Sequence, residues 1–562
     1  MAYLNSPRLT FSGQFQADPS TVNNDPTHFN NETFKPEYQK FSDGDNPNGW
    51  WNPEGTGSWR FLSCGVKSVT YMDGTSTSNP ADDPIIGMTI MDSSSKVAGK
   101  IVDLDTQQQM VSALWGLVVR LVSGDKEIIK SDYEVASFTN IWMSRAPKLG
   151  GDTRAAAIFQ SVLTNISWDI DSCNSRYLNE LCSVSKDKLS IQFTTDLYDM
   201  DHTSPQFTIG RIVGSIGPYF EGEPSHITIG RPLVPQNPST TNYANAIVDS
   251  KLNQLVLDLA NSFQINPDGK LIDNSNLQLA VNKGENGNDD LIAIGEIILN
   301  DADWYGIKSG INTIALGDKT SLVEQYPLVI LDSEKNILLR ESTEYVCADK
   351  FVFYLNPNEK YQVDLYASKL GQPLAGKEIE FQLIDIPFGP TPPVAGVPKS
   401  TIKLPAPITS DASGKAVLTI KANDPGNPRG YIDGQVFGVA YNFSDGYFSD
   451  CNQSNFISLL VFDSVDPSKI ANPSWEDILP IMQQYSNLYP LMSKGIFNLA
   501  DQTIVDQNAE ILKFVFSKDR KDPNYMPATR DLSRDKSSMI INYLDSVLNQ
   551  AGVKDSITFK KL

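Results

Sequence analysis

Histidine is the scarcest chemically useful residue in this sequence: three in 562, at His28, His202 and His226. So few nearly exclude a multi-histidine zinc or iron centre built by this chain alone, because such sites draw several imidazoles to one ion. They leave room for one axial haem ligand or one catalytic base. His202 closes the run Tyr198-Asp199-Met200-Asp201-His202. Two carboxylates and an imidazole at that spacing have the chemistry for metal binding or acid–base work. A polar turn between strands uses the same residue types, and that plainer reading has the stronger claim. His226 ends Glu223-Pro224-Ser225-His226, the E-x-x-H spacing of a carboxylate–histidine ligand pair on a helix. Gly217, Pro218, Gly222 and Pro224 argue against a helix there. His28 lies in an Asn-rich loop and reads as a solvated or turn-capping side chain.

A second chemistry is aromatic. Residues 41–59, FSDGDNPNGWWNPEGTGSW, carry turn signals and no helical period. Trp50, Trp51 and Trp59 are candidates for stacking on an indole or a sugar, with His202 a further candidate ligand contact. A satellite core under a loop explains such a cluster equally simply. Asp103-Leu104-Asp105, Asp301-Ala302-Asp303 and Asn286–Asp290 invite a calcium reading, but none extends into a full calcium loop, so solvated turns are expected. No GxSxG, P-loop or GxGxxG occurs. No catalytic residue can therefore be assigned, and no metal site or cofactor is expected from the residues.

Positioning these groups takes several domains. At roughly 100–200 residues each, the length suggests about three to five. The hydrophobic fraction of 40% and charged fraction of 20% are ordinary for globular chains. Lys plus Arg is 46 against 67 Asp plus Glu, a net charge of −21. That acidity argues against nucleic acid or an anionic membrane as a bulk partner. Five cysteines, with no CxxC, suit a reduced intracellular setting, although Cys173 and Cys182 are spaced so that they could pair. The start, MAYLNSPRLTFSG, has no secretory signal pattern, and no apolar run reaches membrane-spanning length. A cytoplasmic location is expected, with non-classical export as the alternative.

The hydrophobic pattern predicts a mainly β protein of antiparallel sandwiches with a small helical domain at the C-terminal end. A β-rich domain with the aromatic loop is expected over 1–240. Its clearest strand is Leu189–Leu197, which alternates as a half-buried strand. Trp115, Leu117, Val119 and Leu121 alternate in the same way, and Ile209–Ile216 is a further strand in which Gly210 and Gly214 mark bulges or close approach. A second β domain is expected over 241–345. An immunoglobulin-like sandwich is expected over 346–465, where the order of strands and the turn at Pro373-Leu374-Ala375-Gly376 resemble bacterial Ig-like repeats of adhesins. A helical domain follows over 466–562, with Ser474 as an N-cap and helical stretches at Val505–Phe516 and Arg534–Leu548.

Two ends of the chain resemble one family. Pro7-Arg8-Leu9-Thr10-Phe11-Ser12-Gly13, running to Val22-Asn23-Asn24-Asp25-Pro26, is similar to the opening of the iminophenylpyruvate dimer synthases of violacein biosynthesis and their chromopyrrolate synthase relatives. The tail is similar through Tyr489-Pro490-Leu491-Met492-Ser493, Phe497-Asn498-Leu499-Ala500-Asp501 and Tyr525-Met526-Pro527-Ala528-Thr529-Arg530-Asp531-Leu532-Ser533. Ser204-Pro205 to Gly217 and Gly230-Arg231-Pro232 are compatible with it. The resemblance implies a counterpart of the family's N-terminal half, without the ferritin-like half in which a carboxylate–histidine metal site is expected. It implies oxidative coupling of tryptophan-derived imines as the family's reaction, with haem or iron involved. The expectation is a non-catalytic β-rich scaffold or binding protein that partners a separate ferritin-like protein through its helical tail. The alternatives are an enzyme of tryptophan-derived secondary metabolism, and an exported surface or toxin-like binding module.

Overall fold

The computed structural model describes residues 1–18, 29–35, 55–106, 108–273, 275–284, 288–299, 301–384, 395–446, 456–489 and 497–550. The first sheet has ten strands, all antiparallel neighbours. Its order runs Arg8–Ala17, Ile209–Pro218, Leu189–Asp196, Ala156–Trp168, Lys126–Tyr133, Val118–Ser123, Thr89–Met91, Trp59–Thr70. Trp59–Thr70 then pairs back onto Arg8–Ala17, so this path closes into a barrel rather than a sandwich. A closed barrel of this size has an interior just wide enough for side chains to fill. Phe11, Trp59, Phe159 and Phe193 fill it, all at 2% exposure or less. Gly214 makes room for them: a Cβ there would lie 2.6 Å from the Phe11 ring and 2.5 Å from a Gln192 carbonyl. Close approach, one of the two roles expected of that glycine, is what the barrel uses.

The second sheet has eight antiparallel strands. It recruits Arg231–Pro235, so its first strand lies within the span expected to belong to the first domain. Arg231 explains the recruitment. Its guanidinium holds Glu341 through two hydrogen bonds, of 2.7 and 2.6 Å, with both side chains buried. Two five-stranded sheets then pack face to face around Leu365, Leu418, Val439 and Leu459, the arrangement of an Ig-like sandwich. Helices Trp475–Leu488, Gln502–Gln507, Ala509–Phe516 and Arg534–Gln550 close a further core around Ile478, Met482, Val505 and Ile540. Ser474 caps the first of these in a capping box with Asp477.

Four local expectations change. The Trp115–Leu121 alternation is two strands in different sheets, broken at Gly116 with φ +65°. Strand Leu189–Asp196 is buried on both faces, because its polar side is covered: Ser190 accepts from the Ala2 N–H, and Asp196 pairs with Arg145 and Arg211. The stretch Val505–Phe516 breaks at Asn508 into two helices. Asp105 lies in a buried ion pair with Arg429, not in a solvated turn.

Candidate functional site

The residues singled out from the sequence do not converge. Trp50, Trp51 and His28 lie outside the described residues. Trp59 is 1% exposed and packs among Phe15, Phe61, Phe159 and Phe193, with ring centroids 5.1–6.3 Å away. Protein rings surround it, so it builds the barrel core and offers no face to a ligand. His202 is half-buried in a surface turn whose carboxylates are occupied locally. Asp199 accepts from the Asp201 N–H and the Ser204 hydroxyl, and Asp201 accepts twice from Thr203. His226 is in no helix, as its prolines and glycines required. Its backbone N–H donates to Asp349 at 2.7 Å, and its ring Nδ1 lies 3.7 Å from the same carboxylate oxygen. Burial pushes the Asp349 carboxyl up, but His226 and the Ser225 N–H outweigh it, and the group is held below the usual carboxylate range. Cys173 and Cys182 are both free thiols.

What the tertiary structure does assemble is a cleft of about 350 Å³ where the barrel, the second sheet and the sandwich meet. That volume is at the lower end of small-molecule sites. The barrel supplies Ile158 and Gln160; the second sheet supplies Val234, Ala244 and Asp258; the sandwich supplies Tyr345, Tyr366 and Phe443. Tyr3 and Tyr243 add two more rings. Strand period places the sandwich contribution: Tyr345 and Cys347 alternate with buried Val346, which packs into the sandwich core.

The cleft is lined mostly by hydroxyl, amide and thiol groups, with the carboxyls of Asp258, Glu344 and Asp445 among them. The Tyr3 hydroxyl donates to Asp258 Oδ2 at 2.6 Å, and the Ala260 N–H donates to Oδ1 at 3.0 Å. Burial pushes the Asp258 carboxyl above its ordinary range and the Tyr3 phenol well above its own. Burial likewise pushes Tyr366 up to about 12 and the Cys347 thiol up to about 11, so both keep their protons at neutral pH. At the rim, Lys377 joins Glu344 and Asp445 at 2.7 and 2.8 Å and offsets their charge. Two polar atoms of lining residues, Asn261 Oδ1 and Thr228 Oγ1, are buried with no hydrogen-bond partner among the described residues. Such atoms are costly to leave unmatched and suit a ligand that brings its own polar groups.

The cleft offers no histidine to iron or haem. No group of three or more His, Cys, Asp or Glu among them converges to hold a metal ion. Neither His202 nor His226 lines the cleft, and the Cys347 thiol that does is shifted away from the thiolate a haem ligand needs. The cleft itself was not legible in the sequence. Its lining is drawn from Tyr3 to Gly446, and no local motif joins those positions.

No protein-family model matches the chain. Among curated proteins, the 2-imino-3-(indol-3-yl)propanoate dimerase of Chromobacterium violaceum is similar, 35% identical over 72 residues. That match covers 13% of this chain and 7% of the dimerase, so the chain is similar to a small part of that protein's length. Among solved structures, the D0–D1 domain of Intimin aligns at 14% identity over 38% of this chain and 89% of its own, with a TM-score of 0.15. Salmonella alpha-2-macroglobulin aligns at 11% identity over 96% of this chain and 45% of its own, also at 0.15. At those scores neither alignment bears on fold or function. The mainly β architecture with an Ig-like sandwich rests on the strand pairing itself.

Proposed function

We propose that this protein is a non-catalytic β-rich binding protein whose interdomain cleft takes an uncharged, ring-bearing ligand. The carrying observation is the cleft, in which aromatic rings and amide groups from separate domains face one cavity. Its hydroxyls and thiol are held protonated, which suits recognition rather than nucleophilic attack. Planar faces stack on rings, and the unpartnered Asn261 and Thr228 atoms receive the ligand's polar groups. Titration calorimetry with indole and, separately, with glucose tests this. Binding of either one, at least tenfold weaker in Tyr366→Ala, is the expected result. Binding of neither by the unmodified protein overturns the cleft reading.

The helical tail is the proposed docking surface for a separate ferritin-like protein. Ile511 and Phe514, one turn apart on helix Ala509–Phe516, are 54% and 63% exposed. The family resemblance of the chain's two ends supplies the partner class in this reading. Pull-down with the unmodified protein is expected to recover a ferritin-like chain that Phe514→Glu fails to recover. Recovery of none by the unmodified protein overturns the docking proposal.

A further inference from the structure

Away from the cleft, a second junction joins the end of strand Gln108–Trp115, the sandwich strand Val352–Leu355 and the tail segment 520–530. Gly116 sets the approach. Its φ of +65° turns the chain sharply, and a Cβ there would lie 2.7 Å from the Lys521 carbonyl and 2.8 Å from Pro523. The tail backbone therefore lies directly on this turn, which brings Arg520 to Trp115. The Arg520 guanidinium stacks 3.9 Å from the Tyr354 ring centroid and 5.8 Å from that of Trp115. Arg530, fully buried, lies 5.8 Å from the same Trp115 ring and 5.8 Å from Tyr525.

The hydrogen-bond accounting at this junction is one-sided. The atoms Arg520 Nε and Nη2, Arg530 Nε, Trp115 Nε1 and Tyr354 Oη are all buried and have no partner among the described residues. Among the described residues, Arg530 donates to the carbonyls of Ala528 and Asp522. Among the described residues no carboxylate forms an ion pair with Arg520 or Arg530. The neighbouring carboxyls are occupied otherwise. Asp531 accepts from Tyr485 and Thr529, Asp103 accepts from Ser112, and Glu134 pairs with Lys521. Burial also pushes Asp103 and Asp531 up, away from the ionised form that would neutralise a guanidinium. Arg530 is fully buried and Arg520 partly so, and among the described residues neither guanidinium has a counter-charge to offset the desolvation.

The same molecule shows what that edge of an arginine does. Arg211 holds Asp196 through Nε and Nη2, both at 2.8 Å. Arg231 holds Glu341 through the same two atoms. This fork matches the two oxygens of a carboxylate or phosphate. In Arg520 the identical edge is buried and donates to no acceptor among the described residues.

We propose that the junction of Trp115, Tyr354, Arg520 and Arg530 is an oxyanion-binding site, in which Arg520 grips a carboxylate or phosphate group through Nε and Nη2. Arg530 supplies the second charge, and the Trp115 indole and Tyr354 hydroxyl are the added donors. Such a ligand locks the tail against barrel and sandwich. The site is separate from the cleft and does not depend on the proposed function.

Calorimetry on the full chain with inorganic phosphate and, separately, acetate distinguishes the two sources of the oxyanion. Saturable binding of one or both is expected, weakened at least tenfold in Arg520→Gln. Arg520→Lys keeps the charge and loses the fork, so it is expected to fold and to show the same loss. Arg176→Gln, an exposed arginine elsewhere, is expected to bind as the unmodified protein does. No binding of either anion by the unmodified protein, or unchanged binding in Arg520→Lys, overturns the proposal.

Discussion

Arg429 of the sandwich region grips Asp105, 324 residues earlier, through Nη1 and Nη2 at 2.9 and 3.0 Å, with both side chains essentially out of water. The same guanidinium donates to the carbonyls of Asp433 and Gly434, so its own loop is fixed by the pair. Removing one partner strands the other charge in a dry interface, which costs about 3–5 kcal/mol. Arg429→Ala is therefore expected to lower the denaturation midpoint strongly. Arg429→Met combined with Asp105→Leu is expected to recover most of the loss, as read by denaturant melts of all three variants.

Asp103 gives the protein a pH dependence. Burial pushes its carboxyl from 3.8 to about 7; the Ser112 hydroxyl pulls it down, while Asp152 and Asp105 add to the rise. The folded state thus holds the proton more tightly than the unfolded state. Its stabilising contribution is complete below about pH 4 and is lost as pH rises through about 7. Asp103→Asn is expected to flatten the decline in stability between those limits, by up to about 1.4 kcal/mol per pH unit. Urea melts across that range read the difference in slope, and an unchanged slope refutes the assignment.

Trp59 separates a core role from a ligand role. Trp59→Ala is expected to cost about 3–5 kcal/mol, because the cavity it leaves is walled by Phe15, Phe61 and Phe193. Trp59→Phe keeps most of the packing and is expected to leave indole affinity unchanged in calorimetry. A large loss of affinity in Trp59→Phe would place that ring in the binding site after all.

Gly116→Ala tests how the tail is seated. A side chain at φ +65° is strained, and here it also meets the Lys521–Pro523 backbone below 3 Å. The expected cost exceeds about 1 kcal/mol. The tail is expected to become the first site cut in limited proteolysis, while the barrel core stays resistant.

Much of the local structure was legible. The alternation of Val363, Leu365 and Ala367, and that of Ala416, Leu418 and Ile420, each mark a sandwich strand, because a half-buried strand must show period two; that the two pair is visible only in the structure. Ser474 announced its helix, because a side-chain cap is a short-range interaction. Leu189–Asp196 shows where this fails. Its polar residues signalled a wet face, yet that face is covered by segments far away in sequence and satisfied by hydrogen bonds.

By itself, the sequence determined the β-rich class, the sandwich strands, the helical tail and the scarcity of histidine that disfavours a multi-imidazole centre. These follow from periodicity, capping and composition, which act over a few residues or over none. Only the tertiary structure decided that Trp59 is core, that the first sheet closes, and that rings from Tyr3 to Phe443 share one cleft. It alone set Arg520 beside Trp115 and Tyr354 with an unmatched fork. Those relations depend on which surfaces the domains press together, and desolvation and charge matching across such contacts leave no periodic mark in the chain.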